Sequence, residues 1–447
     1  MARKANRREF LKSSALVAAG ILGAPYVAGA ESRGEKLKFA VIGAGGQGGA
    51  GMGAARGENL VAIADADLKG RAGGAVAQAK KQFPDVKLYS DYRQLFDKHK
   101  DLEAVWVATP DHNHFPASIR ALESGAAVYC EKPLTHSLWE TRKLREVAAA
   151  KKLPTQMGNQ GHSSESIRLI CEFILAGAIG EVATVHCVSN RSFGASKRPP
   201  SKPVPEGLNW QSWIGPAPFR DFHDGLHPFN WRGWLDFGTA SLGDMGCHTI
   251  DGAVWALKLY EAPTIEVQAE EGGVNQEGYT GQARIVFRFP ARGAMPPVTL
   301  TWWNGGGNHL PPRPKVLEAD RKQLTEGTYF YGSKGVMQSG SHCQSTRIIP
   351  EEQQKATPKP RQAIARVPEH TEDFLRACRD SSAPPPCSNF EYSTRLTEIV
   401  LLGTVALRCA GQKLVYDTKA GRFTNSEKAN SFVRREPRKG WQFGYEA

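Results

Sequence analysis

Three short segments of the chain combine residue types that could bind a phosphate group and move a proton. The segment GAGGQG at 43–48 has the glycine spacing of a tight turn whose backbone amides can approach a pyrophosphate. The segment EKP at 131–133 places a lysine directly after an apolar run. In GDMGCHTID at 243–251, an aspartate and a histidine stand four positions apart and would share one face of a helix. Together the segments predict nucleotide binding coupled to acid–base chemistry.

The glycine segment predicts a dinucleotide site, because it follows an apolar run at 36–42 and precedes a helical pattern. Asp65 ends the next apolar run, where a carboxylate binds the adenosine ribose and disfavours a 2′-phosphate. The sequence therefore predicts NAD, while Lys69 and Arg71 keep NADP as an alternative. A glycine-rich turn that binds no nucleotide is the simpler interpretation. The predicted cofactor-binding residues are Gly43, Gly45, Gly46, Gln47, Gly48, Asp65, Thr109, Pro110, His112, His114, Glu131 and Lys132.

Lys132, Asp244 and His248 are the predicted catalytic residues. A lysine at a strand end can donate or accept a proton if burial lowers its pKa. A histidine held by a carboxylate is an acid–base group near neutral pH, and we expect Asp244 to hold His248. The alternatives are a surface lysine and a buried structural histidine. His112 and His114 could share a metal ion, but no further ligands accompany them and no metal site is predicted.

Alternating strands and helices must position these residues in the first part of the chain. Apolar runs at 36–42, 60–64, 104–108 and 126–129 are separated by helical stretches such as 68–83 and 137–152. Short apolar strands of this kind argue for a parallel sheet covered on both faces. Right-handed crossovers then give a doubly wound, Rossmann-type fold, in which ligands bind beyond the carboxyl ends of the strands.

The pattern changes after Met157. Strands are predicted at 181–188, 263–270, 280–289 and 297–303, and helices near 241, at 370–379 and at 393–410. Strands that follow one another without helices favour an antiparallel or mixed sheet. We therefore predict an α/β protein with a Rossmann domain at 31–157. A C-terminal α/β domain with a large, open, mostly antiparallel sheet should occupy 158–447.

The first 30 residues are predicted to be a targeting signal outside the fold. The twin-arginine pattern NRREFLK at 6–12 is followed by a short apolar stretch and by Ala28-Gly29-Ala30, which is typical of a cleavage site. A basic arm on a cytosolic protein is the alternative. We expect export to the periplasm through the twin-arginine pathway. No stable membrane insertion of the mature chain is expected, because no segment is long and apolar enough.

The charge distribution gives no sign of a nucleic-acid partner. The formal net charge is +12, and the first 30 residues hold five basic residues and one acidic residue, which leaves +8 for the rest. The remaining basic residues form no dense stripe with interleaved aromatic residues. The expected partner is a small molecule.

The segments GAGGQG, VATPDHNH, CEKP and GDMGCHTID, in this order, resemble the Gfo/Idh/MocA oxidoreductases, which include glucose–fructose oxidoreductase and inositol dehydrogenase. The resemblance covers nearly the whole mature chain. It implies that Lys132, Asp244 and His248 assist hydride transfer at a substrate carbinol. It also implies that the C-terminal sheet forms the interface of a homo-oligomer, a dimer or a tetramer.

The expected substrate is a sugar, a glycoside or a polyol. Tryptophans in the loops after 190 (Trp210, Trp213, Trp231 and Trp234) could stack on sugar rings or could belong to a core. The predicted substrate-binding residues are His162, Asn190, Arg191, Trp231 and Arg232. An exported oxidoreductase lacks a free cofactor supply, so a tightly bound, internally recycled cofactor is one form of the prediction. A NAD-dependent glycoside hydrolase using transient sugar oxidation and a non-catalytic sugar or nucleotide sensor are the alternatives.

Overall fold

The computed structural model of the protein describes residues 36–307 and 309–445. The predicted targeting signal at 1–30 lies outside these residues. Within them, the chain forms a six-stranded sheet, a nine-stranded sheet and a two-stranded ribbon. No helix in the described part is long and apolar enough to cross a membrane.

The N-terminal sheet is parallel, and its strand order is β3-β2-β1-β4-β5-β6. The strands are β1 (Lys38–Ile42), β2 (Asn59–Ala64), β3 (Lys87–Tyr89), β4 (Ala104–Val107), β5 (Ala127–Glu131) and β6 (Thr155–Gly158). The helices between them are α1 (Gly49–Ala54), α2 (Gly73–Gln82), α3 (Tyr92–Lys98), α4 (His114–Glu123) and α5 (Leu138–Lys151). The predicted Rossmann fold is confirmed. The order reverses between β1 and β4, which opens a crevice at their carboxyl ends.

The C-terminal sheet has the order β15-β14-β13-β7-β12-β11-β8-β16-β17. Its strands are β7 (Val182–Ser189), β8 (Thr264–Glu271), β11 (Ala283–Phe289), β12 (Val298–Asn304), β13 (Gly327–Gly332), β14 (Val336–Gly340), β15 (Arg347–Ile349), β16 (Leu414–Asp417) and β17 (Arg422–Phe423). The ribbon consists of β9 (Val274–Asn275) and β10 (Gly278–Tyr279). Neighbouring strands of the large sheet are antiparallel except for β7 and β12. The predicted mostly antiparallel sheet is therefore confirmed.

The helices of this part are α6 (Glu165–Leu175), α7 (Trp210–Ile214), α8 (Ala240–Thr249), α9 (Asp251–Ala256), α10 (Glu351–Ala356), α11 (His370–Arg379), α12 (Phe390–Arg408) and α13 (Glu427–Asn430).

Trp302 on β12 is fully buried, whereas Trp303 is half-buried. Because side chains alternate along a strand, the two tryptophans lie on opposite faces. The chain therefore covers one face of the sheet fully and the other face only in part.

Local hydrogen bonds explain where the helix boundaries differ from those predicted. The helix predicted from residue 68 begins at Gly73, because the Asp67 carboxylate accepts from the amides of Gly70 and Arg71 and forms a turn first. The long helix predicted from 393 begins earlier, because the Asn389 side chain caps it.

A long segment between β7 and α8, residues 190–239, is here called the strap. Its apolar side chains form a small core of their own, made of Leu208, Trp210, Trp213, Ile214, Ala217, Phe222, Leu226, Trp231, Trp234 and Phe237. The four tryptophans, for which either sugar stacking or a place in a core was expected, are all buried in this core. Asn209 N donates to Ala66 O at 2.8 Å, and His227 Nε2 lies 2.8 Å from Asp67 Oδ2. The strap thus reaches from the C-terminal part to the loop that follows β2.

Candidate active site

A cavity of about 550 Å³ lies at the carboxyl ends of β1, β2, β4 and β5, and the strap and α8 form its other wall. Most predicted site residues line it: Gly43, Gly45, Gly46, Gln47, Asp65, Thr109, Pro110, His114, Glu131, Lys132, Arg191, Trp231, Arg232, Asp244 and His248. The crevice of the N-terminal sheet and the helix of the C-terminal part therefore contribute to one site.

At one end of the cavity, the first and last positions of the glycine turn have room only for glycine. Gly43 has φ +83°, and a Cβ there would lie 2.6 Å from Ala108 O. A Cβ at Gly48 would lie 1.8 Å from Gly43 O. The Asp65 carboxylate accepts from the amide of Ala44 at 2.8 Å, so it lies directly beside the turn. A turn this compact, with a carboxylate at its side, fits the pyrophosphate and adenosine ribose of a dinucleotide.

Replacing Gly48 with alanine should therefore weaken cofactor binding at least about tenfold and lower the free energy of unfolding by about 1–3 kcal/mol, because the backbone must move to admit the methyl group. Gly53→Ala is the matched control, since nothing lies within 4 Å of a Cβ in this helical position. That variant should bind cofactor normally, and its free energy of unfolding should increase by up to about 1 kcal/mol. Cofactor titration and urea denaturation measure both effects, and equal binding by the two variants would refute the role of the turn.

Lys132, Asp244 and Arg232 form an ion-pair cluster at the other end of the cavity. Lys132 Nζ donates to Asp244 O at 2.7 Å and to Asp244 Oδ1 at 3.0 Å. Arg232 Nε donates to the same Oδ1 at 3.0 Å. Burial raises the pKa of the Asp244 carboxyl, but the two cations lower it more and hold it well below its usual range. The Asp244 carboxylate therefore pairs with Lys132 and Arg232, which corrects the expectation that it holds His248.

His248 lines the cavity as a neutral imidazole. It is 5% exposed, and its Nδ1 has no hydrogen-bond partner among the described residues. Burial lowers the pKa of His248 well below its usual value, and the nearby Lys132 and His342 lower it further. An uncharged imidazole of this kind can accept a proton at neutral pH.

Two buried or half-buried side chains in this cluster were not predicted. Asp111 accepts a hydrogen bond from Thr239 Oγ1 at 2.5 Å, and burial raises the pKa of its carboxyl to about 6. His342 projects from a turn between β14 and β15, and its ring lies 4.0 Å from the ring of His248. Asp111 belongs to the segment TPDHNH and could have been found from it. His342 has no signal in the sequence.

Glu131 lies between the glycine turn and Lys132 at the floor of the cavity. Its carboxyl is almost fully buried, and burial raises its pKa to about 8. A Cβ at Gly158 would lie 2.3 Å from Glu131 Oε2, so the strand beside it leaves no space for a larger residue. Near neutral pH this carboxyl is therefore largely uncharged.

Four predicted residues lie outside the cavity lining. His112 is fully buried, with Nε2 2.8 Å from Trp213 O, so it binds the strap. His162 is buried behind α8, with Nδ1 2.9 Å from Asp251 Oδ2. Asn190 is exposed, and Gly48 packs against the backbone of Gly43 within the turn. The contacts of His112 with cofactor and of His162 and Asn190 with substrate stay predictions, and the described structure places these side chains outside the cavity lining.

His114 lines the cavity, but its ring also serves the structure. Its Nδ1 lies 2.6 Å from Pro133 O and its Nε2 2.7 Å from Thr109 O. The imidazole therefore links the loop after β4 to the Lys132–Pro133 peptide, which is cis. Burial lowers the pKa of His114 to about 4. Because both ring nitrogens face carbonyl oxygens, neither is placed to bind a metal ion.

Two segments of the amino-acid sequence match the two domains of one protein family. Residues 37–159 match the NAD-binding Rossmann fold of the Gfo/Idh/MocA oxidoreductase family, and residues 189–294 match its C-terminal alpha/beta domain. The two matches together cover just over half of the chain.

Individual dehydrogenases are also similar to part of the chain in amino-acid sequence. Levoglucosan dehydrogenase of Pseudarthrobacter phenanthrenivorans is 25% identical over 187 residues, which are 42% of this chain and 40% of that protein. Inositol 2-dehydrogenase 1 of Saccharopolyspora erythraea is 33% identical over 138 residues, 30% of this chain and 39% of that protein. The chain thus matches less than half the length of these curated relatives.

Solved structures share the fold over a greater length. An inositol dehydrogenase homolog from Azotobacter vinelandii, complexed with NADH and myo-inositol, has a TM-score of 0.55 and 18% sequence identity. The alignment covers 88% of this chain and 100% of that chain. From the two domain matches and the geometry of the cleft, we conclude that the chain belongs to the Gfo/Idh/MocA family of oxidoreductases.

Proposed function

We propose that this protein is an NAD(P)-dependent dehydrogenase that acts on a hydroxyl-bearing carbon of a sugar or polyol. The observation that carries the proposal is that one cavity joins the glycine turn at 43–48 to Lys132, Asp244 and His248. The relatives named as levoglucosan and inositol dehydrogenases support the substrate class. We propose NAD over NADP because Asp65 lies beside the turn, where it would repel a 2′-phosphate.

The residues around the cavity suit proton transfer from a substrate hydroxyl. When bound, the nicotinamide ring supplies the hydride acceptor or donor. Lys132 Nζ has three N–H donors, two of which bind Asp244 in the described structure, so the third can orient a substrate oxygen. His248, buried and neutral, accepts the hydroxyl proton as the carbinol is oxidised and returns it in the reverse direction. Asp244 keeps the ammonium in place.

The test is a substrate panel combined with identification of the cofactor. The purified protein is denatured and any released dinucleotide is identified by mass, and sugars and polyols are then assayed for absorbance at the wavelength of reduced nicotinamide. Reduction of NAD by a panel member supports the proposal. Release of a free sugar from a glycoside without net reduction would instead support the hydrolase, and cofactor binding without any turnover would support the sensor.

We further propose that the cofactor is held tightly, because the strap crosses the cavity. Ser212, Trp213 and His227 of the strap line the same cavity as the glycine turn. The contacts of Asn209 with Ala66 and of His227 with Asp67 close the strap over the loop after β2. A dinucleotide could then leave only after these contacts open, which suits a reaction that recycles its own cofactor with a second substrate.

Removing the contact between His227 and Asp67, here called the latch, should speed cofactor release. His227→Ala deletes the contact with Asp67, whose pKa the His227 hydrogen bond and the backbone amides keep low despite partial burial. A charge-assisted hydrogen bond contributes about 1.5–3 kcal/mol, so we expect dissociation to become about ten times faster or more. Lys202→Ala is the control, because Lys202 pairs with Asp224 within the strap on the exposed side. Stopped-flow measurement gives the rate of cofactor dissociation from each variant, and equal rates in both variants would contradict a latch.

We also propose a homo-oligomer formed through the partly covered face of the C-terminal sheet. The side chains of His186, Trp303 and Gln338 lie on this face and are only half-buried in the described structure. A second copy could cover this face. Light scattering after size exclusion would show the oligomer, and a monomer at micromolar concentration would refute it.

Export to the periplasm through the twin-arginine pathway is proposed from the pattern NRREFLK at 6–12 and the site after Ala30. Cell fractionation in strains with and without that pathway tests the proposal. Mature protein in the periplasm of only the competent strain supports it, and cytoplasmic retention in both strains refutes it.

A further inference from the structure

A carboxylate usually orients an acid–base histidine, but the Nδ1 of His248 has no hydrogen-bond partner among the described residues. Asp244, the nearest candidate on α8, binds Lys132 and Arg232. The group that packs on the His248 ring is a second imidazole. The ring centroids of His248 and His342 are 4.0 Å apart, and the ring planes are inclined by 36°.

The turn that carries His342 adopts a costly backbone conformation. His342, Cys343 and Ser345 have φ values of +58°, +56° and +53°. The left-handed region costs a residue other than glycine about 1–2 kcal/mol. Such conformations persist only where surrounding structure enforces them, and they are concentrated at functional sites.

Contacts on two sides hold this turn against α8. Cys343 Sγ donates to His248 O at 3.2 Å, which ties the turn to the residue on which His342 packs. A Cβ at Gly161 would lie 2.0 Å from His342 O, so the turn fits closely against the segment after β6. Ser341 Oγ lies 2.7 Å from His342 Nδ1 and fixes the rotation of the ring. The ring position is therefore determined from several directions.

We propose that His342 is the positioning residue of His248: its ring packs against the His248 imidazole, fixes the plane of that ring and shields it from water, so that it can accept the substrate proton. The inference rests on the proposed dehydrogenase function and assigns the orienting role to an imidazole from a distant segment. The His342 ring excludes water from one face of His248, and burial of this kind disfavours an imidazolium.

The charges around His248 agree with this role. The groups that face it are the Lys132 ammonium, the imidazoles of His342 and His370, and the Asp244 carboxylate. Burial is the largest cause of the low pKa of His248, the Lys132 and His342 contributions add to it, and only Asp244 opposes it among these groups. Removing the His342 ring would expose His248 to water, and its pKa should rise.

The first test compares His342→Ala with His342→Phe. The alanine variant should lower kcat about 10- to 100-fold at neutral pH, with the cofactor dissociation constant unchanged, and should move the acid limb of the pH–kcat profile to higher pH. Phenylalanine keeps a flat ring and should retain kcat within about threefold, which also controls for misfolding. His99→Ala is the matched control, because His99 packs on Tyr89 away from the cavity. This variant should match the wild type.

A second measurement needs no substrate and so separates this inference from the proposed function. The rate at which diethyl pyrocarbonate labels His248, followed by peptide mass mapping over a pH series, reports the fraction of neutral imidazole. The midpoint should rise in His342→Ala and stay near the wild-type value in His342→Phe. An unchanged midpoint in the alanine variant would overturn the inference. Equal loss of kcat in both variants with unchanged midpoints would also overturn it, because a contact through the ring nitrogens would then explain the loss.

Discussion

Replacing Lys132 with methionine is expected to lower kcat by about 10²- to 10⁴-fold and to leave the cofactor dissociation constant nearly unchanged. Methionine has a similar length and no N–H donor, so it cannot orient a substrate oxygen. Asp244 keeps its hydrogen bond from Arg232, and the fold should therefore persist. The measurements are initial rates of nicotinamide reduction with a substrate found in the panel, and cofactor titration by calorimetry.

Two further variants sharpen this prediction. Lys80→Met changes an exposed lysine on α2 and should have no effect on either quantity. Lys132→Arg retains the charge but replaces the compact ammonium with a planar guanidinium, so it should recover only a small part of the activity. If Lys132→Met retains turnover within about fivefold, the assignment of Lys132 as the group that orients the substrate oxygen is wrong.

Removing the carboxylate of Asp244 should have the largest effect on stability. Asp244→Ala leaves Lys132 and Arg232 facing each other without a counter-charge, and their side chains are only 13% and 18% exposed. Breaking a buried ion pair by deleting one partner costs about 3–5 kcal/mol. Turnover should fall as well, because the Lys132 ammonium loses both its anchor and its position. Urea denaturation gives the free energy of unfolding.

The pH dependence of stability shows whether charge is the cause. Lys132 and Arg232 hold the pKa of the Asp244 carboxyl below its usual value, so its stabilisation is full above the unfolded pKa of about 3.9 and is lost as the pH falls through the folded pKa. The difference in unfolding free energy between the wild type and Asp244→Asn should therefore be largest near neutral pH and should begin to shrink below about pH 4.

A surface ion pair provides the control for this measurement. Glu391 and Arg395 form an exposed pair on α12, and Glu391→Gln should change the unfolding free energy by less than about 1 kcal/mol over the same pH range. A constant difference for Asp244→Asn between pH 3 and 7 would show that shape, and not charge, sets the effect.

Local patterns were sufficient to predict the N-terminal half of this protein. The strands near 36–42 and 104–108 are apolar runs that become buried on both faces, and the glycine turn at 43–48 is a contiguous segment. Neither depends on a distant partner for its recognition. Lys132 and His248 could likewise be predicted as cavity residues, because each lies at the end of a strand or on the helix that the local pattern specifies.

Contacts across long separations decided the rest. The carboxylate of Asp244 is bound by a lysine 112 positions earlier and an arginine 12 positions earlier, and no local spacing shows that these cations displace His248. His342 meets His248 through a turn whose sequence contains no recognisable motif. Residue types and local spacing identified which residues could carry the chemistry and which elements hold them. Which charges meet depends on the folded arrangement of the chain, because pairing energies depend on distance in space and not on distance along the chain.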